Sequence, residues 1–161
     1  MDSRRLVVVR HAKSAWPDDV PDTQRPLNKR GRRDAPAAGR WLRDQVGHVD
    51  AVLCSPAART RETWGLIAPE LDGAPDPIFD ERVYAATAEA LLAVVRGLSD
   101  DVGSALLVGH NPGVADLVTA LSGEELEMKT SAIAVLGLTG SWADAGSGGA
   151  TLIAHATPRG S

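Results

Sequence analysis

A single cysteine, Cys54, stands among the 161 residues. One thiol cannot close an internal disulfide or build a thiolate metal cluster, which suits a reducing compartment. It ends an apolar run and reads as a small buried residue. No stretch approaches the ~20 apolar residues needed to span a bilayer. At the N-terminus, Arg4 and Arg5 are followed by a short apolar run before Arg10, less than the roughly 7–15 residues of a secretory signal. These absences predict a cytoplasmic protein with no membrane partner. Nor is positive charge in excess. Against 17 Lys and Arg stand 21 Asp and Glu, a net charge of −4, so nothing recommends nucleic acid as a partner. Gly-x-Gly-x-x-Gly and the P-loop Gly-x-x-x-x-Gly-Lys-Ser/Thr follow no strand-like run, which removes the main supports for a nucleotide-binding domain. Clustered carboxylates or thiolates for a metal are also missing, so neither a metal nor another cofactor is expected. Nothing in the chain specifies an oligomeric state.

What is present suffices for one domain over residues 1–161, since 43% of the chain is hydrophobic and 24% charged, the balance of a globular protein with a sizeable core. Leu6–Val9 is a continuous apolar run, as expected of a strand buried on both faces. Trp16–Pro26 reads as a loop, and a helix follows from Asn28 to about Val46. Asp50–Cys54 is a second strand, and Pro56 opens a helix reaching about Leu71. Pro77–Phe79 suits a short edge strand. A helix over Thr87–Leu98, a strand over Ser104–Val108 and a helix over Pro112–Leu121 come next. Two β-rich stretches, Ser131–Leu138 and Ala150–Ala156, close the chain, with Gly140–Gly149 between them read as a loop. There is no internal repeat and no domain linker. The alternation predicts an α/β protein with a mostly parallel sheet covered by helices on both faces, and a late hairpin adding antiparallel strands.

The chemistry gathers at the ends of three strand-like runs. Arg10-His11 ends the first, His110 follows Ala105–Val108, and Ser55-Pro56-Ala57-Ala58-Arg59-Thr60 follows Val49–Cys54. In open α/β sheets that C-terminal edge is where ligands bind. Two histidines and two arginines there describe a site for a dianion, with an imidazole available to attack it. A neutral imidazole attacks phosphorus when one ring nitrogen carries the proton and the other is free. A backbone carbonyl beside His11 can hold the Nδ1 proton and leave Nε2 as nucleophile. In Gly109-His110-Asn111-Pro112-Gly113, Asn111 is expected as a helix N-cap and Pro112 as the first helical residue. Such a helix start favours an anion, and the anion draws His110 toward its protonated form. Arg59 lies four residues past Ser55, the expected N-cap, and can reach back to the helix start. Arg61, roughly 200° round the helix from Arg59, points elsewhere. Arg10 and Arg59 offer planar donor forks matched to phosphate oxygens. His48 and His155 are expected to be surface or packing residues.

These residues, Arg10-His11-Ala12-Lys13-Ser14, Ser55-Pro56-Ala57-Ala58-Arg59-Thr60-Arg61-Glu62-Thr63 and Gly109-His110-Asn111-Pro112, resemble the histidine phosphatase superfamily, also called phosphoglycerate mutase-like. Arg25-Pro26-Leu27-Asn28-Lys29-Arg30-Gly31 and Thr130-Ser131-Ala132-Ile133 are similar to its short bacterial branch, named for the phosphohistidine phosphatase SixA. The resemblance implies a three-layer α/β/α sandwich. It also implies His11 as the nucleophile that becomes phosphorylated, with Arg10, Arg59 and His110 completing the phosphate pocket. Ser14 matches a small hydroxyl donor to phosphate, while Lys13 and Asn111 are further candidates for substrate binding. Ala12 stands where the superfamily usually has Gly, Lys13 where many members carry an acidic or amide residue, and Glu62 where Gln is usual.

Glu81, in Asp80-Glu81-Arg82, resembles the general acid of many relatives. In an extended segment Asp80 and Glu81 point to opposite faces, so at most one serves the site. A phosphohistidine leaving nitrogen is readily protonated and needs little acid catalysis; an alkoxide depends on it far more. The reaction expected is hydrolysis through phospho-His11, with the pocket cations doing the work of a metal. A chain this short has little room for a lid, which favours phosphohistidine displayed on a partner protein. The alternatives are a promiscuous phosphatase of small phosphomonoesters or phosphoramidates, and a non-catalytic phosphate-binding module. The last is disfavoured, because binding alone needs no nucleophile.

Overall fold

A computed structural model describes residues 3–161. Strands and helices alternate as β1 (Ser3–Arg10), α1 (Lys29–Gln45), β2 (Ala51–Cys54), α2 (Ala58–Ile67) and β3 (Pro77–Phe79). They continue as α3 (Ala88–Arg96), β4 (Ser104–Gly109), α4 (Gly113–Ser122), β5 (Ile133–Thr139) and β6 (Ala150–Ala156). The strands form one sheet in the order β3-β2-β4-β1-β5-β6. β3, β2, β4 and β1 run parallel to one another, whereas β5 is antiparallel to β1 and β6 antiparallel to β5. The expected edge strand and the late antiparallel hairpin are both present.

Alternation along β1 explains the layers, since successive side chains leave opposite faces of a strand. Leu6 and Val8 pack with Leu107 of β4 and with Val95, Leu117 and Leu121 of α3 and α4. Val7 and Val9 pack on the other face with Val108 and with Leu42, Trp64 and Ile67 of α1 and α2. All four β1 residues are fully buried. The continuous apolar run therefore meets a need on both faces, and the result is a three-layer α/β/α sandwich.

Several ends differ from the sequence expectation for local reasons. Asn28 caps α1 by accepting a hydrogen bond from the Gly31 amide at 2.9 Å. Gly31 is needed there because a Cβ would overlap the Lys13 carbonyl, so this bare backbone seats the start of α1 on the loop after β1. α2 stops at Ile67 and tightens into a 3₁₀ turn over Ala68–Glu70, as Pro69 has no N–H to continue the helical ladder. The residues flanking α2 and α4 at their starts are Ala57 and Pro112, neither with a side-chain cap.

Gly140–Gly149 is more than a loop. It holds a 3₁₀ turn, Trp142–Asp144, whose Trp142 is fully buried and donates its Nε1–H to the Val102 carbonyl at 2.8 Å. One indole anchors a segment whose Gly- and Ser-rich composition conceals it. Trp142→Ala is expected to lower unfolding stability by about 3–5 kcal/mol in urea titrations. Binding of oxyanions should survive at low denaturant, because Val102 precedes β4 and lies at the sheet edge opposite His11 and His110.

Candidate active site

The parallel register of β1 and β4 pairs Val9 with Val108 and Arg10 with Gly109. His11 and His110 are the next residues on the two strands, and the His11 amide still donates to the Gly109 carbonyl at 3.1 Å. Neighbouring strands lie ~4.8 Å apart. The imidazoles are consequently neighbours, with ring centroids 5.2 Å apart and planes tilted by 56°. Both are buried at this edge. On the far side of β4, β2 leads into Ser55, whose amide donates to the Val108 carbonyl at 3.1 Å. Ser55 is not the N-cap of α2. Its Oγ lies 2.8 Å from His110 Nε2 and accepts from the Ala57 amide at 3.3 Å.

His11 Nδ1 lies 2.7 Å from the Ala12 carbonyl oxygen. A carbonyl only accepts, so Nδ1 carries the proton and Nε2 keeps its lone pair. Burial lowers the His11 pKa to about 4, helped by the charges of Arg59, Arg10 and Arg25 and opposed by the bond to Ala12. For His110 burial again dominates, with His11 and Arg59 adding to it, and the value falls to about 3. Both rings are neutral at pH 7. The cleft's own cations thus oppose the protonated His110 that a bound anion would favour.

A cleft of about 330 Å³ brings together Arg10, His11, Lys13, Ser14, Arg59, His110 and Asn111, and adds Trp16, Arg25 and Thr130. Arg59, buried, reaches back from the first turn of α2 as its position predicts. Its Nη1 and Nη2 donate to the backbone and side-chain oxygens of Asp22 at 2.8 and 3.0 Å. Asp22 also accepts from Arg25 Nη1 at 3.3 Å and from the Tyr84 hydroxyl. The Tyr84 bond, then Arg59 and Arg25, hold the Asp22 pKa below the usual carboxylate range. Arg25 donates further to the Ala15 carbonyl and to Ser14 Oγ. Its guanidinium lies 3.4 Å from the ring centre of Trp16, which is 78% exposed and forms an open aromatic rim. Arg10 Nη1 and Asn111 Nδ2 both donate to the Met128 carbonyl, at 3.2 and 2.7 Å. Asn111 therefore braces the wall rather than capping α4, which begins only at Gly113.

Other expected residues lie elsewhere. Arg61 donates to the Pro56 carbonyl at 2.7 Å and stacks over Phe79. Glu81 is exposed and is not part of the cleft wall. The chain there is not extended. Asp80 caps a 3₁₀ turn over Glu81–Val83 and pairs with Arg82 at 2.7 Å, so alternation does not decide which carboxylate faces the site. His48 pairs with Asp50 at 2.8 Å, and His155 is exposed on β6. Burial pushes the Cys54 thiol up to about 12, which leaves no thiolate nucleophile at neutral pH.

Sequence reasoning missed Arg25, Asp22, Tyr84 and the partnership of Ser55 with His110. Arg25 had a signal, since it opens the Arg25-Pro26-Leu27 motif. Asp22 and its bond to Tyr84 depend on how the 16–26 loop folds back, which no periodicity encodes, and the Ser55–His110 contact depends on β2 lying beside β4. Chemically, the cleft offers arginine forks and a hydroxyl to a tetrahedral dianion, and a neutral imidazole to its central atom.

A family model, the histidine phosphatase superfamily (branch 1), matches residues 6–97. An uncharacterized protein of Mycobacterium tuberculosis is 39% identical over 94% of this chain and the whole of its own length. A SixA-type structure from Nakamurella multipartitia is 32% identical, covers 98% of each chain and superposes with a TM-score of 0.89. The protein histidine phosphatase SixA complexed with tungstate is 26% identical over 96% of this chain and 97% of its own, at a TM-score of 0.83. The phosphoglycerate mutase-like fold is shared as well.

Two measurements follow from the electrostatics. The unfolded imidazole titrates near 6.5, so between that value and the folded ones of about 4 and 3 the unfolded chain binds more protons. Stability then rises with pH across this window and is lost as pH falls below 6.5. Thermal unfolding of the wild type should drop more steeply from pH 7 to pH 4.5 than that of a His11→Ala/His110→Ala variant; parallel curves would contradict the assigned burial. For the arginines, Arg59→Lys should weaken tungstate binding by on the order of 1.5–3 kcal/mol, since an ammonium cannot reproduce a two-point contact. Arg61→Lys should change it little. Equal effects would remove Arg59 from the anion site.

Proposed function

Because the chain belongs to the histidine phosphatase superfamily, we propose that it is a phosphatase acting through a phosphohistidine intermediate on His11, with phosphohistidine on a partner protein as its substrate. One observation carries this reading: a buried, neutral His11 whose Nδ1 is bound to a carbonyl, with its other nitrogen free in a cleft shared with Arg10, Arg25 and Arg59. His11 Nε2 attacks phosphorus while the N–P bond to the leaving imidazole breaks, and that imidazole takes up a proton. Arg10, Arg59 and His110 stabilise the equatorial oxygens. Positioning and charge dominate such a transfer, because the protein has little covalent chemistry to perform. Water then hydrolyses phospho-His11, returning a neutral imidazole and inorganic phosphate. Ser14 offers its hydroxyl proton to phosphate, Lys13 lends charge at the rim, and Asn111 supports the wall. The arginines supply the positive charge, so turnover persists in EDTA.

The openness of the cleft supports a protein substrate. The 16–26 loop is pinned by Asp22 and Arg25. The 140–149 segment packs at the opposite sheet edge, where Gly140 takes a bond from Arg4 and Gly148 donates to Ala120. The first segment supplies Trp16 and Arg25 to the cleft wall, and the second supplies none of the lining residues. The neighbouring structure named for protein histidine phosphatase SixA with tungstate supports the same substrate and the same tetrahedral ligand.

The test compares kcat/KM on a phosphohistidine protein, p-nitrophenyl phosphate and an alkyl phosphate, in EDTA, for wild type, His11→Ala and Glu81→Gln. Wild type should prefer the phosphohistidine protein, and brief incubation should trap an acid-labile, base-stable phosphoryl group. His11→Ala should lose nearly all turnover. Glu81→Gln should stay within about twofold on the two good leaving groups, whose departure needs little of the 10²–10⁴-fold that acid catalysis supplies. A loss confined to the alkyl ester would restore Glu81 as the acid. Turnover without His11 would overturn the mechanism, and a preference for the small esters would transfer the assignment to a small-molecule phosphatase.

A further inference from the structure

Beside the phosphoryl cleft, and sharing its Lys13 and Thr130 wall, lies a second hollow of about 220 Å³ completed by Arg30, Asp34 and Arg159. The proposed mechanism uses none of these last three. Asp34 lies within it, its side chain 1% exposed. It accepts from Arg30 Nε at 3.2 Å, Arg159 Nη1 at 3.0 Å and the Gly160 amide at 2.9 Å. Arg159 Nη1 also reaches the Thr130 carbonyl at 2.9 Å. The Arg159-Gly160 segment is thereby latched onto α1, and Gly160 sits where a Cβ would overlap the Arg33 carbonyl.

A buried carboxylate that grips two guanidiniums fixes their planes while using one edge of each. Among the described residues, Arg30 Nη1 and Nη2 and Arg159 Nε and Nη2 have no protein partner. The exposed Lys13 adds an ammonium at the boundary with the cleft. Three cations face one carboxylate, so the hollow remains net positive. Its free donors are the type that carboxylates and phosphates accept.

We infer that this hollow is a second anion subsite, taking a carboxylate or phosphate carried by the same molecule that places its phosphoryl group at His11. The inference rests on the cleft being the phosphoryl site but not on phosphohistidine being the substrate. An acidic side chain beside a phosphohistidine and the second phosphate of a small bisphosphate present the same chemistry.

The full-length protein decides it, with Arg30→Gln and Arg30→Lys as variants, because Arg159 remains to neutralise Asp34. The substrates are phosphoramidate, a phosphohistidine peptide flanked by Glu, the same peptide flanked by Gln, and a sugar bisphosphate beside its monophosphate. Wild type should favour a doubly anionic substrate over its singly anionic counterpart by about tenfold, chiefly through KM, the worth of one charge-assisted contact. About 0.5 M KCl should shrink that preference. Arg30→Gln should erase it while phosphoramidate turnover stays within about twofold; Arg30→Lys should retain part of it. A preference seen only with the Glu-flanked peptide assigns the subsite to an acidic protein surface, and one seen only with the bisphosphate assigns it to a small molecule. In that second case the subsite stands while the phosphohistidine reading falls. No preference in wild type, or an equal loss on every substrate in Arg30→Gln, overturns the inference.

Discussion

The pairing of Arg10 with Gly109 across β1 and β4 is the constraint on which the site depends. Because the strands are parallel and adjacent, the next residue of each leaves the sheet at the same level and the same edge. Two residues nearly a hundred positions apart thus become ring neighbours at 5.2 Å. A one-residue slip would send the side chains of a strand to the other face. It would also bury the alternating core residues of β1 against the wrong helices, so the apolar core and the histidine pair enforce the same register. Ser55, delivered by β2 on the other flank of β4, then fixes the His110 ring.

The charges follow from that placement. Two imidazoles buried among Arg10, Arg25 and Arg59 cannot take up protons easily, and both are held well below their usual pKa. Neutrality is what a nucleophilic nitrogen requires. The Ala12 carbonyl settles which nitrogen remains free, and Thr63 in turn holds that turn by accepting from the Ala12 amide at 3.0 Å. Ala12 in place of the usual Gly leaves this contact intact, because only its backbone is used. The loop after β1 is supported from outside by α1, whose first turn approaches the Lys13 carbonyl through Gly31.

Much of this was legible in the chain. The apolar runs mark the strands, and their ends mark Arg10, His11 and His110. Helical geometry separated Arg59 from Arg61. What stayed hidden has one physical origin: contacts made by irregular segments carry no period. The 16–26 loop supplies Asp22 and Arg25 only after it folds back on α2, and the 140–149 segment hides one buried indole in a polar stretch. Glu81 and Asn111 show the same limit at element ends, where a 3₁₀ turn replaced an extended strand and a helix began at Gly113 rather than Pro112.

Asp22 looks out of place in a site built for a dianion, since a like charge there repels the ligand. Its geometry resolves the conflict. It grips the Nη1 and Nη2 ends of Arg59, leaves Nε without a protein partner among the described residues, and holds Arg25 with its remaining oxygen. Half of its side chain is open to solvent, which screens the repulsion. Asp34 repeats the device between Arg30 and Arg159, there fully buried and with the Gly160 amide as a further donor. In both places one carboxylate orients two guanidiniums that would otherwise repel each other, and the local charge remains positive. An arginine fixed in this way loses less conformational entropy on meeting a phosphate than one swinging freely in water. The acidic residues are thus part of how this acidic chain builds a positively charged edge.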